Sequence, residues 1–147
     1  MIIAVIRVKG GFKIKSQFKR TMELLRLNDN NHCVLLQDND VNKGMINKAR
    51  SLITWGELDE ATLKLLITKR GRLDGNKHVT LSEKELNTLV KDLMAGKKSL
   101  IDAGIKPVFR LSPPKKGWDH GTIKLEYPRG ALGPRGKEIN IILKRMI

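Results

Sequence analysis

An α+β fold is predicted for this chain from three observations. Short β-branched runs alternate with amphipathic helical spacings through residue 58, helix caps and helical stripes follow, and a basic Pro- and Gly-rich stretch comes after them. The expected order is β-α-β-α-β over residues 1–58, then a mainly helical extension over residues 59–147 that carries the basic stretch as an arm.

Each element has its own signal. Residues 2–8 are β-branched and apolar, with Arg7 and Lys9 beginning an alternation, so a strand is expected to meet a turn at Gly10-Gly11. From Ser16, an N-cap type of residue, Phe18, Met22 and Leu25 recur at helical spacing, and Asn28 stands where a C-terminal cap belongs. The helix should end near Leu27. Residues 33–36 are a short apolar run and predict the second strand. Asp40 is the expected cap of a second helix with Val41, Met45 and Ala49 on one side, and residues 51–55 predict the third strand. Asp59 should cap a helix whose stripe is Leu63, Leu66, Ile67 and Arg70, with Gly71 as a left-handed terminator. Ser82 and Glu85 make a capping box, with Leu81 and Leu86 in staple positions. Leu86, Leu89, Val90, Leu93 and Met94 then form the buried stripe and Gly96 ends the helix. One further turn is expected before Gly104, then short strands at 108–111 and 123–127. The last segment fits a helix through Ile139, Ile142, Leu143 and Met146, or a strand through Ile139, Ile141 and Leu143; helix is preferred.

Charge narrows the function. Among 147 residues, 29 Lys and Arg stand against 15 Asp and Glu, a formal +14, which calls for a polyanionic partner. An anionic membrane is disfavoured, because no apolar run approaches the roughly 20 residues of a span and no basic amphipathic helix stands out. The apolar start is too short for a signal peptide and lacks its charged and cleavage segments. The single cysteine, Cys33, permits no internal disulfide and fits a cytoplasmic location. It reads as a small buried hydrophobe. His32, His78 and His120 are far apart, no Cys/His pair has zinc spacing, and Asp38, Asp40, Asp59 and Glu60 flank helix starts, where capping accounts for them. The glycines at 71 and 75 lack the strand-then-helix setting of a nucleotide loop. No enzyme, cofactor, metal or small-molecule substrate is expected.

The candidate binding residues fall in three groups. All five prolines lie between Lys106 and Lys137, where eight bases face only Asp119 and Glu126. Such a stretch is expected to be an extended arm that closes no core. Its Arg110, Lys115, Lys116, Arg129, Arg135 and Lys137 would repel one another unless RNA or DNA phosphate neutralised them. Trp118 beside Lys116 could stack on a base or anchor the loop. The second group is Lys69, Arg70, Arg72 and Lys77 around Gly71 and Gly75, where side-chain charge and backbone amides can approach phosphate together. The third is Lys13, Lys15, Lys19 and Arg20 at the first helix start, which attracts anions through free amides.

The run Thr21-Met22-Glu23-Leu24-Leu25-Arg26-Leu27, then Asn31-His32-Cys33-Val34, Lys43-Gly44-Met45-Ile46-Asn47-Lys48 and Thr54-Trp55-Gly56-Glu57, resembles the L-thirty family of large-ribosomal-subunit proteins. Residues 69–77 and 109–114 are similar to its long archaeal form, related to the eukaryotic L-seven protein. The resemblance implies a three-stranded antiparallel sheet with two helices on one face over residues 1–58. It also implies a structural role in the large subunit, binding large-subunit ribosomal RNA near the 5S ribosomal RNA. Lys43 joins the candidate RNA-binding residues, and 5S RNA and neighbouring ribosomal proteins join the candidate partners. Bacterial members usually carry a base where this chain has Asp29, so any contact made there is not carried over. The alternative is a free-standing DNA- or transfer-RNA-binding accessory protein.

Overall fold

The computed structural model describes residues 1–10, 13–118 and 121–147, so Gly11, Phe12, Asp119 and His120 lie outside the described residues. The elements are β1 (Ile2–Arg7), α1 (Ser16–Leu24), β2 (His32–Gln37), α2 (Asp40–Lys48), β3 (Ile53–Glu57), α3 (Glu60–Arg70), α4 (Glu83–Met94), β4 (Val108–Arg110), β5 (Gly133–Pro134) and α5 (Ile139–Met146). They build one mixed sheet in the order β4-β2-β1-β3-β5. β1 pairs antiparallel with both β2 and β3, β4 adds antiparallel to β2, and β5 adds parallel to β3.

The unbroken apolar run of β1 follows from its central place, because helices cover both faces of the sheet. Ile3 and Val5 face α1 and α2, where Met22, Leu25, Ile46 and Ala49 pack on them. Ile2, Ala4 and Ile6 face the other way into a larger cluster with Leu63, Leu66, Leu89, Leu93, Ile142 and Leu143 of α3, α4 and α5. The central antiparallel strands with two helices on one face are as the resemblance implied, and the last segment is a helix.

Several expectations need correction. The basic stretch does not stand off the body: Phe109, Ala131 and Leu132 are buried, and β4 and β5 line opposite edges of the sheet. Edge strands tolerate proline, and the stretch's few apolar residues supply the burial that its Pro and Gly content obscures. Residues 123–127 form turns instead of a strand, with Leu125 52% exposed and one isolated bridge from Glu126 to Leu132. A bidentate ion pair from Arg50 to Glu126 (2.6 and 2.7 Å) ties them down.

Four helix ends also differ. Lys15, not Ser16, holds the N-cap position of α1, without a side-chain cap. Its C-terminus closes at Arg26, which takes a left-handed φ of 62°, while the N–H groups of Arg26 and Leu27 return to the Glu23 and Met22 carbonyls (3.0 and 2.9 Å). Asn39 caps α2, its Oδ1 accepting from the Asn42 N–H at 2.8 Å, and places Asp40 in the first turn. Val41 consequently points outward, 73% exposed, and Ile46 takes the inward place. Gly71 is extended (φ −62°, ψ 139°). Glycine is needed there because a Cβ would run into the Ile67 carbonyl.

Candidate nucleic-acid interface

The start of α1 presents uncapped amides. It has no acidic residue in its first turn and no side-chain cap, and Lys13, Lys15, Lys19 and Arg20 around it are all exposed. None of these four has a carboxylate partner among the described residues. A helix N-terminus of this composition is a local anion attractor.

Three clefts join into one track from this point. Lys9, Lys13 and Lys15 line a depression of about 400 Å³ beside Phe18 and Leu52. Gly10 and Ile14 are shared with the next cleft, about 650 Å³, where Lys19 and Arg7 stand with Glu23, Asn28 and Asp29. Asn28 is shared in turn with a cleft of about 300 Å³ between the end of α1 and the β2–β4 edge, lined by Arg26, His32, Lys106 and Arg110. The Arg7 guanidinium holds the intervening turn, donating to the Leu27 and Asn28 carbonyls at 2.8 and 2.6 Å.

The Gly-rich loop reaches the same place. Lys106 Nζ donates to Asn76 Oδ1 (2.9 Å), its N–H donates to the Arg72 carbonyl (2.8 Å), and Arg70 donates to Ser112 Oγ (2.7 Å) and the Ile147 carbonyl (3.1 Å). Bases from distant parts of the sequence are thus brought to one side: Lys69 is exposed in the last turn of α3, Lys77 on the loop, and Arg110 on β4. Arg72 serves the loop itself, bonding the Gly71 carbonyl and His78 Nδ1, whereas Arg70 ties the end of α3 to Ser112 and Ile147. His32 is held below its ordinary pKa, first by burial and then by Arg110 and Arg7, with Asp29 acting in the opposite direction.

Other candidates lie elsewhere. Lys43 is paired with Asp38 at 2.7 Å, which raises its pKa through that hydrogen bond. Arg129 and Lys137 are exposed on the side of the sheet edged by β5, opposite β4. Lys115 and Lys116 are exposed at a turn held by Arg145, which donates to the Lys115 carbonyl at 2.9 Å and to the Gly117 carbonyl. Trp118 is half-buried and packs on two core clusters, the anchoring role. Arg135 is turned inward, 5% exposed, donating to Thr54 Oγ1 (2.9 Å) and the Ala131 carbonyl (3.0 Å) over the Tyr127 ring. Lys9, Arg26 and Lys106 belong to the track although sequence reasoning did not select them. Lys106 carried a signal as one of the eight bases of the Pro- and Gly-rich stretch, whereas Lys9 and Arg26 carried none.

Cys33 is fully buried and its thiol is pushed up to about 12 by burial, so it is chemically quiet. Among the described residues no group of His, Cys, Asp and Glu could hold a metal, and no helix is long and apolar enough to cross a membrane. The fold and its basic flank define an α+β protein with a surface whose charge is complementary to a polyanion.

Comparison with known proteins makes that class specific. The family described as Ribosomal protein L30p/L7e matches residues 3–53. The chain is 44% identical to the large ribosomal subunit protein uL30 of Methanococcus vannielii over 100% of both chains. It is 41% identical to that of Methanosphaera stadtmanae (98% of this chain, 99% of the relative) and 39% identical to that of Archaeoglobus fulgidus (99% of each). The chain belongs to the uL30 family of large-ribosomal-subunit proteins, a structural family without catalytic activity, and matches its archaeal members from end to end.

Proposed function

We propose that this chain is a structural constituent of the large ribosomal subunit that binds large-subunit ribosomal RNA along the track from Lys13 to Arg110. The observation that supports this most is continuity: shared lining residues join the α1 start, the α1 end and the β2–β4 edge into one basic path. Lys and Arg along the track would displace the counterions condensed on the phosphates of an RNA strand, which favours binding without reading sequence. In this reading residues 1–58 supply the docked body and residues 59–147 add the Gly-rich loop and β4 that lengthen the track. The neighbourhood of the 5S ribosomal RNA, as the family resemblance implies, is the expected position. Asp29 and Glu23 interrupt the path, so the RNA backbone would pass nearer the lysine side of that cleft.

Sedimentation tests the reading. The chain should travel with large subunits at one copy each in moderate salt and be released as salt rises. Substoichiometric association, or free protein at low salt, would instead identify an accessory nucleic-acid-binding factor.

A further inference from the structure

The apolar stripe of α1 runs out of the core at its first turn. Met22 and Leu25 are 2% and 3% exposed, whereas Phe18, one turn earlier, is only half-buried and packs on that cluster from its margin. The rest of the ring lines the depression of about 400 Å³ at the start of the track. Ile14 and Leu52 complete the apolar floor, and the main chain beneath it is already spent. The Leu52 carbonyl accepts from the N–H groups of Val8 and Lys9 (3.0 and 3.2 Å), and the Leu52 N–H donates to the Ala49 carbonyl (2.9 Å). Around this floor stand Lys9, Lys13 and Lys15, none with a carboxylate partner among the described residues, and the exposed Ser51.

An apolar floor inside a rim of cations suits a ligand with a flat apolar face and anionic groups beside it. A phosphate chain alone would use the lysines and leave the floor in water. An RNA duplex would do the same, since its bases are stacked and paired and it brings phosphate and ribose to a surface. An unpaired nucleotide uses both parts, because its base can lie on the ring while the phosphates on either side meet the lysines. Continuity points the same way: Gly10 and Ile14 also line the next cleft, so a strand held along the track reaches this depression at its end. Among the described residues no other Phe, Tyr or Trp lines any of the three track clefts. Trp118, the ring that the sequence offered for stacking, packs on two core clusters instead.

We propose that Phe18 carries an unpaired base of the bound RNA, stacked on its ring within the lysine rim, and that this depression is a base-binding site at the start of the track. Stacking on a phenyl ring accepts any base, so the site selects unpaired over paired RNA without selecting a sequence. The proposal rests on the RNA-binding reading and deepens it.

Binding of a large-subunit RNA fragment, compared with binding of heparin as a polyanion without bases, tests it. Phe18→Leu keeps an apolar floor and removes the ring, and thermal unfolding checks that the variant is folded. Its RNA affinity should fall roughly fivefold or more, with salt slope and heparin affinity unchanged, and Phe18→Tyr should bind RNA like wild type. Ultraviolet irradiation of the wild-type complex should leave a nucleotide adduct on Phe18, a result that does not depend on how any variant folds. Equal losses for RNA and heparin, no loss for either, or adducts only at other residues would overturn the proposal. Lys13→Ala keeps the two readings apart: it should lower the salt slope for RNA whatever Phe18 does, and an unchanged slope would count against the track itself.

Discussion

Arg135 separates a base that builds the protein from a base that binds RNA. Its guanidinium donates to the Ala131 carbonyl at 3.0 Å and to Thr54 Oγ1 at 2.9 Å, and lies 5.0 Å from the Tyr127 ring centroid, in a site 5% exposed. In Arg135→Ala, Thr54 keeps its own bond to the Gly133 carbonyl (2.9 Å), but the buried Ala131 carbonyl loses this donor. An orphaned buried acceptor costs about 1–3 kcal/mol. Losing the cation over the ring adds about 0.5–2 kcal/mol, for a total of about 1.5–5 kcal/mol. For a chain of this size that is a fall of roughly 5–15 °C in Tm. Arg129→Ala, an exposed change, should stay within about 0.5 kcal/mol of wild type. Thermal unfolding reads both variants, and a salt titration on a large-subunit RNA fragment follows for each. If Arg135→Ala melts like wild type yet flattens the salt dependence of binding, the guanidinium faces phosphate and the inward assignment is wrong.

Leu25→Ala and Leu89→Ala, on opposite faces of the sheet, should each cost about 2–5 kcal/mol in urea unfolding, and near-neutral values would refute the packing described. Arg26→Gly relieves the left-handed position at the end of α1, so stability should rise by up to about 1–2 kcal/mol, while one phosphate contact is lost and the salt slope falls by about 0.7–0.9. A variant that loses stability without changing the slope would remove Arg26 from the track. The Cys33 thiol should resist thiol reagents at pH 8 in the folded chain and react only on unfolding. Because the native thiol keeps its proton up to about pH 12 whereas the unfolded one releases it from about 9.0, stability should decline as pH rises through that window; a rapid native-state reaction would show Cys33 to be accessible.

What the sequence made legible depended on how local the cause was. The apolar run of β1 and the Ser82–Glu85 capping box, where the Ser82 N–H donates to Glu85 Oε2 (2.9 Å), each carry their own signal. The short β4 was expected at 108–111 and lies at Val108–Arg110, but β5 carries no such signal, since a strand of two residues exists through the partner that it pairs with and proline content pointed the other way. Arg26 at a left-handed position has no residue signature, because glycine or asparagine is the usual choice there. Asn39 and Asp40 are both cap types in adjacent places, and only the backbone distinguishes them. The site was legible as charge but not as a path. That Lys19, Arg26 and Arg110 lie along joined clefts depends on the end of α1 folding back beside the β2–β4 edge, a contact between residues far apart in the chain.

The central claim is that one basic track, rather than net charge alone, holds the RNA. A fourfold variant, Lys13→Ala, Lys19→Ala, Arg26→Ala and Arg110→Ala, can be compared with Lys48→Ala, Lys64→Ala, Lys84→Ala and Lys91→Ala, whose side chains line none of the track clefts. Both sets remove the same formal charge, so salt titration on one large-subunit RNA fragment separates position from charge. With about 0.7–0.9 counterion per lost contact, the track variant should lose roughly three units of slope and the control well under one. Equal losses from the two sets would contradict the track and leave binding as a property of the whole charged surface.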